Sequence, residues 1–301
     1  MATTRRAGLP RAGLRTAENG RVSFGRAGVW AVAAACGACS AGGGGDDMGG
    51  RNSGSTGSSS SSSSSSSGGI DLSGSSSGGG GIQPGTSCGD GILRGVIRDF
   101  HNTFPDMEPA HSGKSDNADD LGIVQPMLGA DLKPLYAGPA TGTVTTTGPE
   151  NFDKWYRDDP VNLPLDLDLQ FEDPDGDGVF TYDNQAFFPI DGQGFGNEPP
   201  DPSHNYHFTF ELHTLFEYEG RGEEFKFVGD DDVFVFINGK LEVNLGGVHG
   251  PREGSIALDT LGLTPGESYQ LDFFFAERHV TASHFRIDTT IKFVDCGITV
   301  E

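Results

Sequence analysis

The sequence predicts an all-β sandwich over residues 88–301. Three observations carry that prediction. Apolar and polar residues alternate with a period of two in several short segments. No long stretch shows the 3.6-residue period of an amphipathic helix. Loops rich in Pro, Gly and Asp separate the segments, as in sandwiches built from short strands. The 214 residues of this region suffice for one sizeable core, and no internal repeat of 20–50 residues is visible.

Taken in order, residues 1–26 are basic and irregular, and residues 27–36 (AGVWAVAAAC) form a short apolar run. This is the shape of a secretory signal, with a run too short to cross a bilayer. Cys36 and Cys39 each follow small residues, which resembles a bacterial lipoprotein cleavage site. Residues 1–39 are therefore read as a signal or lipoprotein-type leader acylated at Cys36 or Cys39. An ordinary cleaved signal with free release is the alternative. The expected location is outside the cell, on a bacterial outer membrane or surface, touching membrane only through the lipid. Residues 40–87 are Gly/Ser-rich, with ten consecutive serines at 58–67, and cannot bury enough apolar surface to fold. As a flexible coil this linker spans roughly 35–42 Å, a stalk between lipid and domain.

The strands follow. Residues 91–100 open the first. Residues 151–157 suit one short helix. Tyr206, Phe208, Phe210 and Leu212 alternate with His207, Thr209, Glu211 and His213, giving one apolar and one wet face. Residues 233–237 are apolar throughout, so this strand is covered on both faces. Asn238-Gly239 then suits a type I′ hairpin turn. Tyr269, Leu271, Phe273 and Phe275 repeat the alternation, as do Phe285, Ile287, Thr289, Ile291 and Phe293.

Charge narrows the function. Residues 88–301 hold 13 Lys and Arg against 39 Asp and Glu, a net of −26. Such a domain repels nucleic acid and attracts cations. Asp230, Asp231 and Asp232 stand together between two apolar strands, and like charges that close need water or a cation to relieve them. Oxygen donors suit a hard cation, and outside the cell calcium is the natural candidate; a solvated acidic turn at the hairpin rim is the alternative. A second loop, residues 173–184, places Asp173, Asp175 and Asp177 at positions 1, 3 and 5 of a calcium loop, with Gly178 at the sharp turn. Position 12 is Asn184 and no helices flank it, so it stands as either a calcium-stabilised loop or an Asp/Gly turn. His249, Glu277, Arg278 and His279 form a further polar cluster, open to ligand contact or to an ion-paired loop lock. Trp155, Tyr156, Tyr182 and Phe195 offer either a sugar-stacking platform or core packing. The Gly-x-Ser-x-Gly at residues 85–89 lies at the end of the Ser-rich stalk, not on a nucleophile elbow, and is dismissed. Cys88 and Cys296 bracket the folded region. Export favours a disulfide between them over two buried thiols, and closing so long a loop contributes about 5 kcal/mol in the chain-entropy model.

Residues 229–240 (GDDDVFVFINGK), 245–250 (LGGVHG) and 273–279 (FFFAERH) resemble the fibro-slime domain. Residues 151–157 (NFDKWYR), 187–190 (FFPI) and 204–210 (HNYHFTF) match in the same order, so the resemblance runs from about residue 93 to 293. That family occurs in bacterial surface proteins and slime-mould prespore-inducing factors. It is related to the lectin-like β-sandwich first described in anthrax-toxin protective antigen and found in yeast flocculins. The resemblance implies a single lectin-like β-sandwich of jelly-roll type with a surface-binding role. In the flocculin-like relatives two adjacent aspartates, often joined by a cis peptide, hold a calcium that contacts sugar hydroxyls. Their equivalents here are Asp230 and Asp231, with Asp232 as the one-residue shift. The Asn those relatives place on a later loop has Asn244 as its nearest counterpart. The expected function is thus non-enzymatic, calcium-assisted binding of a glycan or matrix polysaccharide, with surface proteins as further partners. A structural matrix protein that binds other proteins is the second reading, and a carbohydrate-active hydrolase the third.

Overall fold

The computed structural model describes residue 88, residues 91–199 and residues 202–297. The leader, its Cys36 and Cys39, and the Gly/Ser-rich linker lie outside the described residues.

Thirteen strands occur among the described residues. The first half contributes β1 (Ile92–Phe100), β2 (Ala118–Asp119), β3 (Asn162–Gln170) and β4 (Phe180–Asn184). Next come β5 (Phe208–Glu217), β6 (Glu224–Gly229), β7 (Asp232–Ile237), β8 (Lys240–Leu245) and β9 (Gly247–Val248). The last are β10 (Arg252–Ala257), β11 (Ser268–Glu277), β12 (Phe285–Thr289) and β13 (Lys292–Phe293). A short α-helix, α1 (Pro149–Phe152), overlaps the expected helical segment 151–157 only at its first two residues, and the rest of that segment is turn and bend.

The strands form two antiparallel sheets and a small ribbon. The larger sheet runs β3-β1-β5-β11-β7-β8, with β13 joining β5 beyond the end of β1; the smaller runs β10-β6-β12-β4; β2 pairs β9. The sheets face each other across a phenylalanine core. Phe285 of β12 lies 5.5 Å from Phe273 and 5.2 Å from Phe275 of β11, ring centre to ring centre, and Phe227 of β6 lies 5.6 Å from Phe273. The all-β sandwich expected from the alternation is the fold observed. Asn238 and Gly239 both take positive φ, 52° and 77°, as a I′ turn requires.

One expectation fails instructively. The polar face of β5 is not wet: His207, Thr209, Glu211 and His213 are all buried. Residues 101–161 fold over that face and build a second core on it. Phe104, Met107, Ile123, Phe152, Trp155 and Tyr156 pack there against Phe234, Phe236 and Phe274. That cover explains why β7 is apolar at every position: Val233, Val235 and Ile237 point between the sheets, while Phe234 and Phe236 point into the second core. Burying polar side chains under it demands partners. Glu211 accepts both oxygens' bonds from Lys133, at 2.7 and 2.6 Å, and one from Arg98 at 2.8 Å. His213 pairs with Asp272 at 2.7 Å.

Cys88 and Cys296, expected to pair, both lie beside β1. The Cys88 carbonyl accepts from the Gly91 amide at 3.0 Å, and the Cys296 carbonyl from the Arg94 amide at 2.7 Å.

Candidate functional site

The loops after β6, β9 and β11 meet at one end of the sandwich, and the aspartate triplet sits at their centre. It is not a solvated rim: Asp230 and Asp231 are each 4% exposed and Asp232 is 0% exposed. The peptide between Asp230 and Asp231 is cis. Three adjacent residues send their carboxylates to three different places.

Asp232 is committed to structure. Its Oδ2 lies 2.6 Å from Nε of Arg278, and its Oδ1 accepts from the Gly247 amide at 2.6 Å. Gly247 is needed for that approach: its φ is 122°, and a Cβ there would stand 2.2 Å from the Ala118 carbonyl of the β2–β9 ribbon. Arg278 is wholly buried. It also donates to the Thr145 carbonyl at 2.8 Å and lies 4.7 Å over the Trp155 ring. Neither Asp232, expected as a cation ligand, nor Arg278, expected at a ligand, reaches a binding surface. Together they form the loop lock. Asp230 accepts from the amide and ring of His284, at 2.5 and 3.0 Å.

Asp231 alone of the three lines a cavity of about 370 Å³. One oxygen accepts from the His249 amide at 2.9 Å and the other from the Arg278 amide at 3.2 Å. Asp116 and Asn117, at the start of β2, form one wall; Val248, His249 and Gly250 form another; His279 and Thr281 close it. The His279 ring meets Glu108 Oε2 at 3.0 Å through Nδ1, and Glu108 Oε1 lies 3.3 Å from His207 and accepts from the Val280 amide at 2.9 Å. The two ring nitrogens of His249 face the carbonyls of Gly250 and Leu245 at 3.0 and 3.1 Å.

The electrostatics are lopsided. Burial pushes the carboxyls of Asp231, Asp232 and Asp106 upward, against the pull of Arg278. Burial pushes Glu277 well above its ordinary value, with Asp231 and Asp230 adding to it. The Ser283 hydroxyl, also buried, is the side-chain hydrogen-bonding neighbour of Glu277 and pulls it the other way. More carboxylate is gathered here than Arg278 can neutralise, and a bound cation is one physical remedy.

The other expected residues fall elsewhere. Asn244 spends its amide on the Leu121 carbonyl, at 3.0 Å, and its carbonyl on the Gly246 amide, at 3.1 Å, and does not line the cavity. Glu277 is buried beneath the cluster. Trp155 and Tyr156 are core, Tyr182 packs edge-on to Phe187 and Phe285, and Phe195 stacks on His101, so no aromatic platform forms. Asp173, Asp175 and Asp177 do converge, with carboxylate oxygens within 4.8 Å of one another on an exposed loop between β3 and β4. There Asp173 accepts from the amides of Gly176, Asp177 and Gly178. Sequence reading missed Asp116, Asn117, Thr281 and Glu108. No local pattern marks them: the β2–β9 pairing brings Asp116 and Asn117 to the cavity, Thr281 lies on the loop after β11, and Glu108 stands behind His279.

Fold and site together define an all-β sandwich that carries a buried acidic cluster and a polar cavity on the loops at one end. Among curated proteins the chain is similar to several from Dictyostelium discoideum. It is 41% identical to protein psiQ over 195 residues, covering 59% of this chain and 20% of psiQ. Identity to protein psiR is 36%, covering 69% of this chain and 22% of psiR. Identity to protein psiD is 42%, covering 59% and 38%. The chain therefore spans only about a fifth of the length of psiQ and psiR. No protein-family model matches it. Among solved structures, a PA14 sugar-binding domain from an RTX adhesin is 16% identical, covering 37% of this chain and 70% of that one, with a TM-score of 0.25. The curated relatives are slime-mould proteins, which overturns the expectation of a bacterial outer-membrane lipoprotein.

Proposed function

We propose that this is a non-enzymatic extracellular binding domain of the fibro-slime type, in which a calcium ion held near Asp231 assists recognition of a glycan or matrix polysaccharide. The supporting observation is the cavity itself: one buried, incompletely neutralised carboxylate at its floor, with the half-buried Asp116 and the exposed Asn117 as oxygen donors beside it. Oxygen donors and excess negative charge suit a hard divalent cation. Asp230 lies one residue away and adds to the negative field, while Asp232 is already matched by Arg278. Binding is favoured over turnover because the polar groups around the cavity floor are spoken for. Both Asp231 oxygens accept amides, His279 is held by Glu108, and both ring nitrogens of His249 face carbonyls. No acid and base are left opposed across the cavity.

Glycan-array binding in millimolar calcium, repeated with chelator and with Asp231→Asn, tests the proposal. Binding that chelator and the substitution both abolish is expected. Binding that survives both would sink the calcium-assisted reading, and adhesion to proteins alone would favour a structural matrix role.

A further inference from the structure

The larger sheet ends on β3, whose outer side no strand or bridge pairs among the described residues. At nine residues β3 is longer than β4, β8 and β10, the other strands that end a sheet. The edge at β8 is capped: the Leu241 amide donates to the Pro126 carbonyl, and the Leu128 amide to the Gly239 carbonyl, both at 3.0 Å. The edge at β4 is met by Glu172, which exchanges both backbone bonds with Thr181.

The parity of the ladder fixes which groups of β3 face out. The Phe171 amide donates to the Gly91 carbonyl at 2.8 Å, and the register of 92–100 with 162–170 continues without a bulge. Odd-numbered residues of β3 therefore bond to β1, and even-numbered ones turn N–H and C=O outward. Pro164, Asp166 and Asp168 hold outward positions and are exposed. Pro164 has no N–H to lose there, as the edge of a sheet allows. The amides of Asp166 and Asp168 have no partner among the described residues. Side chains alternate too. Leu165 and Leu167 pack against the core between the sheets but are only partly buried, and Leu163 on the same side is 38% exposed. Asp166 and Asp168 stand on the other side. Arg94 reaches Asp168 at 3.5 Å, with both side chains about half exposed, so the pair is weak. A second copy of β3 is a poor match. An antiparallel pair centred on Asp166 would set Asp166 against Asp166 and Asp168 against Pro164, which has no N–H to give.

We propose that β3 takes up an extended polypeptide segment that alternates apolar and basic residues and adds to the larger sheet as a further strand. Its carbonyls accept from the Asp166 and Asp168 amides, its apolar side chains cover Leu163, Leu165 and Leu167, and its lysines or arginines flank the two aspartates. The net charge of −26 draws such a segment in. This edge shares no residue with the cavity at Asp231 and needs no ion.

A fluorescent nine-residue peptide alternating valine and lysine, and its valine–glutamate counterpart, are titrated against the full-length chain. The lysine peptide should bind roughly tenfold or more tightly than the glutamate peptide, and less tightly as salt rises. On binding, hydrogen exchange at the Asp166 and Asp168 amides should slow roughly tenfold or more. Asp166→Asn keeps the outward N–H and should weaken binding roughly twofold to fivefold. Asp166→Pro removes the N–H as well and should weaken it by a further factor of about two to ten. Pro164→Ala supplies an N–H and should tighten binding, a gain that no folding defect can mimic. Equal affinity for the two peptides overturns the proposal. So does a bound lysine peptide that leaves Asp166 and Asp168 unprotected, since that is a charge contact without a strand. Asp166→Pro no weaker than Asp166→Asn, or Pro164→Ala without effect, overturns it as well.

Discussion

Arg278 is the residue on which the acidic end turns. Its guanidinium is the only full cation buried among Asp106, Asp231 and Asp232, and breaking a buried pair by removing one partner leaves an uncompensated charge. Arg278→Met should therefore destabilise the domain by about 3–5 kcal/mol in urea denaturation; a loss below about 1 kcal/mol would mean that Asp232 is neutral and the lock unimportant. Two other buried carboxylates set the acid limit. Burial would raise Glu108 and Glu211, but it is outweighed. His207 and His279 hold Glu108 down to about 2, and His213, Arg98 and Lys133 hold Glu211 down to about 2. A carboxylate with a depressed folded value stabilises the fold above its unfolded value, near 4.5, and loses that contribution as pH falls through about 2. Stability should fall through that window, and Glu211→Gln should flatten the slope there. An unchanged slope in that variant would show that Glu211 carries no proton linkage.

Strands show where sequence is a good guide and where it stops. Alternation in β5, β11 and β12 located the faces that meet between the sheets, because apolar burial is periodic along a strand. Phe285 shows the consequence: it packs on Phe187, Phe227, Phe273 and Phe275 from both sheets. Phe285→Ala should cost about 3–5 kcal/mol, read as a shifted denaturant midpoint with unchanged slope. Gly95 of β1 is a second test. A Cβ there would stand 2.3 Å from the Glu211 carbonyl, so Gly95→Ala should force β1 from β5 and cost about 1–3 kcal/mol. The opposite face of β5 was misread as wet because its cover, residues 101–161, is mostly loop and carries no periodicity to read. The same gap hid half of the cavity. Asp231 and His249 belong to strand-adjacent motifs and were legible, whereas Asp116 reaches them only through the two-residue ribbon of β2 with β9.

At the scale of the molecule, a net charge of −26 over residues 88–301 sets a diffuse self-repulsion that any salt relieves. A specific calcium effect must be separated from that background, so melting is best compared in calcium chloride and sodium chloride at matched ionic strength. Sodium should raise the melting temperature of wild type and variants alike. If the cavity holds calcium, the calcium curve lies above the sodium curve in wild type. At a free concentration about 100 times Kd, mass action supplies about 2.7 kcal/mol, or roughly 5–10 °C for a domain of this size. Asp230→Asn with Asp231→Asn should erase that increment, since it strips the carboxylate at the cavity floor and its neighbour. Asp173→Asn with Asp175→Asn should leave it intact, because that exposed loop is already closed by amides to Asp173 and gains little rigidity from an ion. Loss of the increment in the second variant and not the first would move the calcium to the exposed loop and leave Asp231 without an ion. Superimposed calcium and sodium curves in wild type would reduce both acidic clusters to electrostatic load.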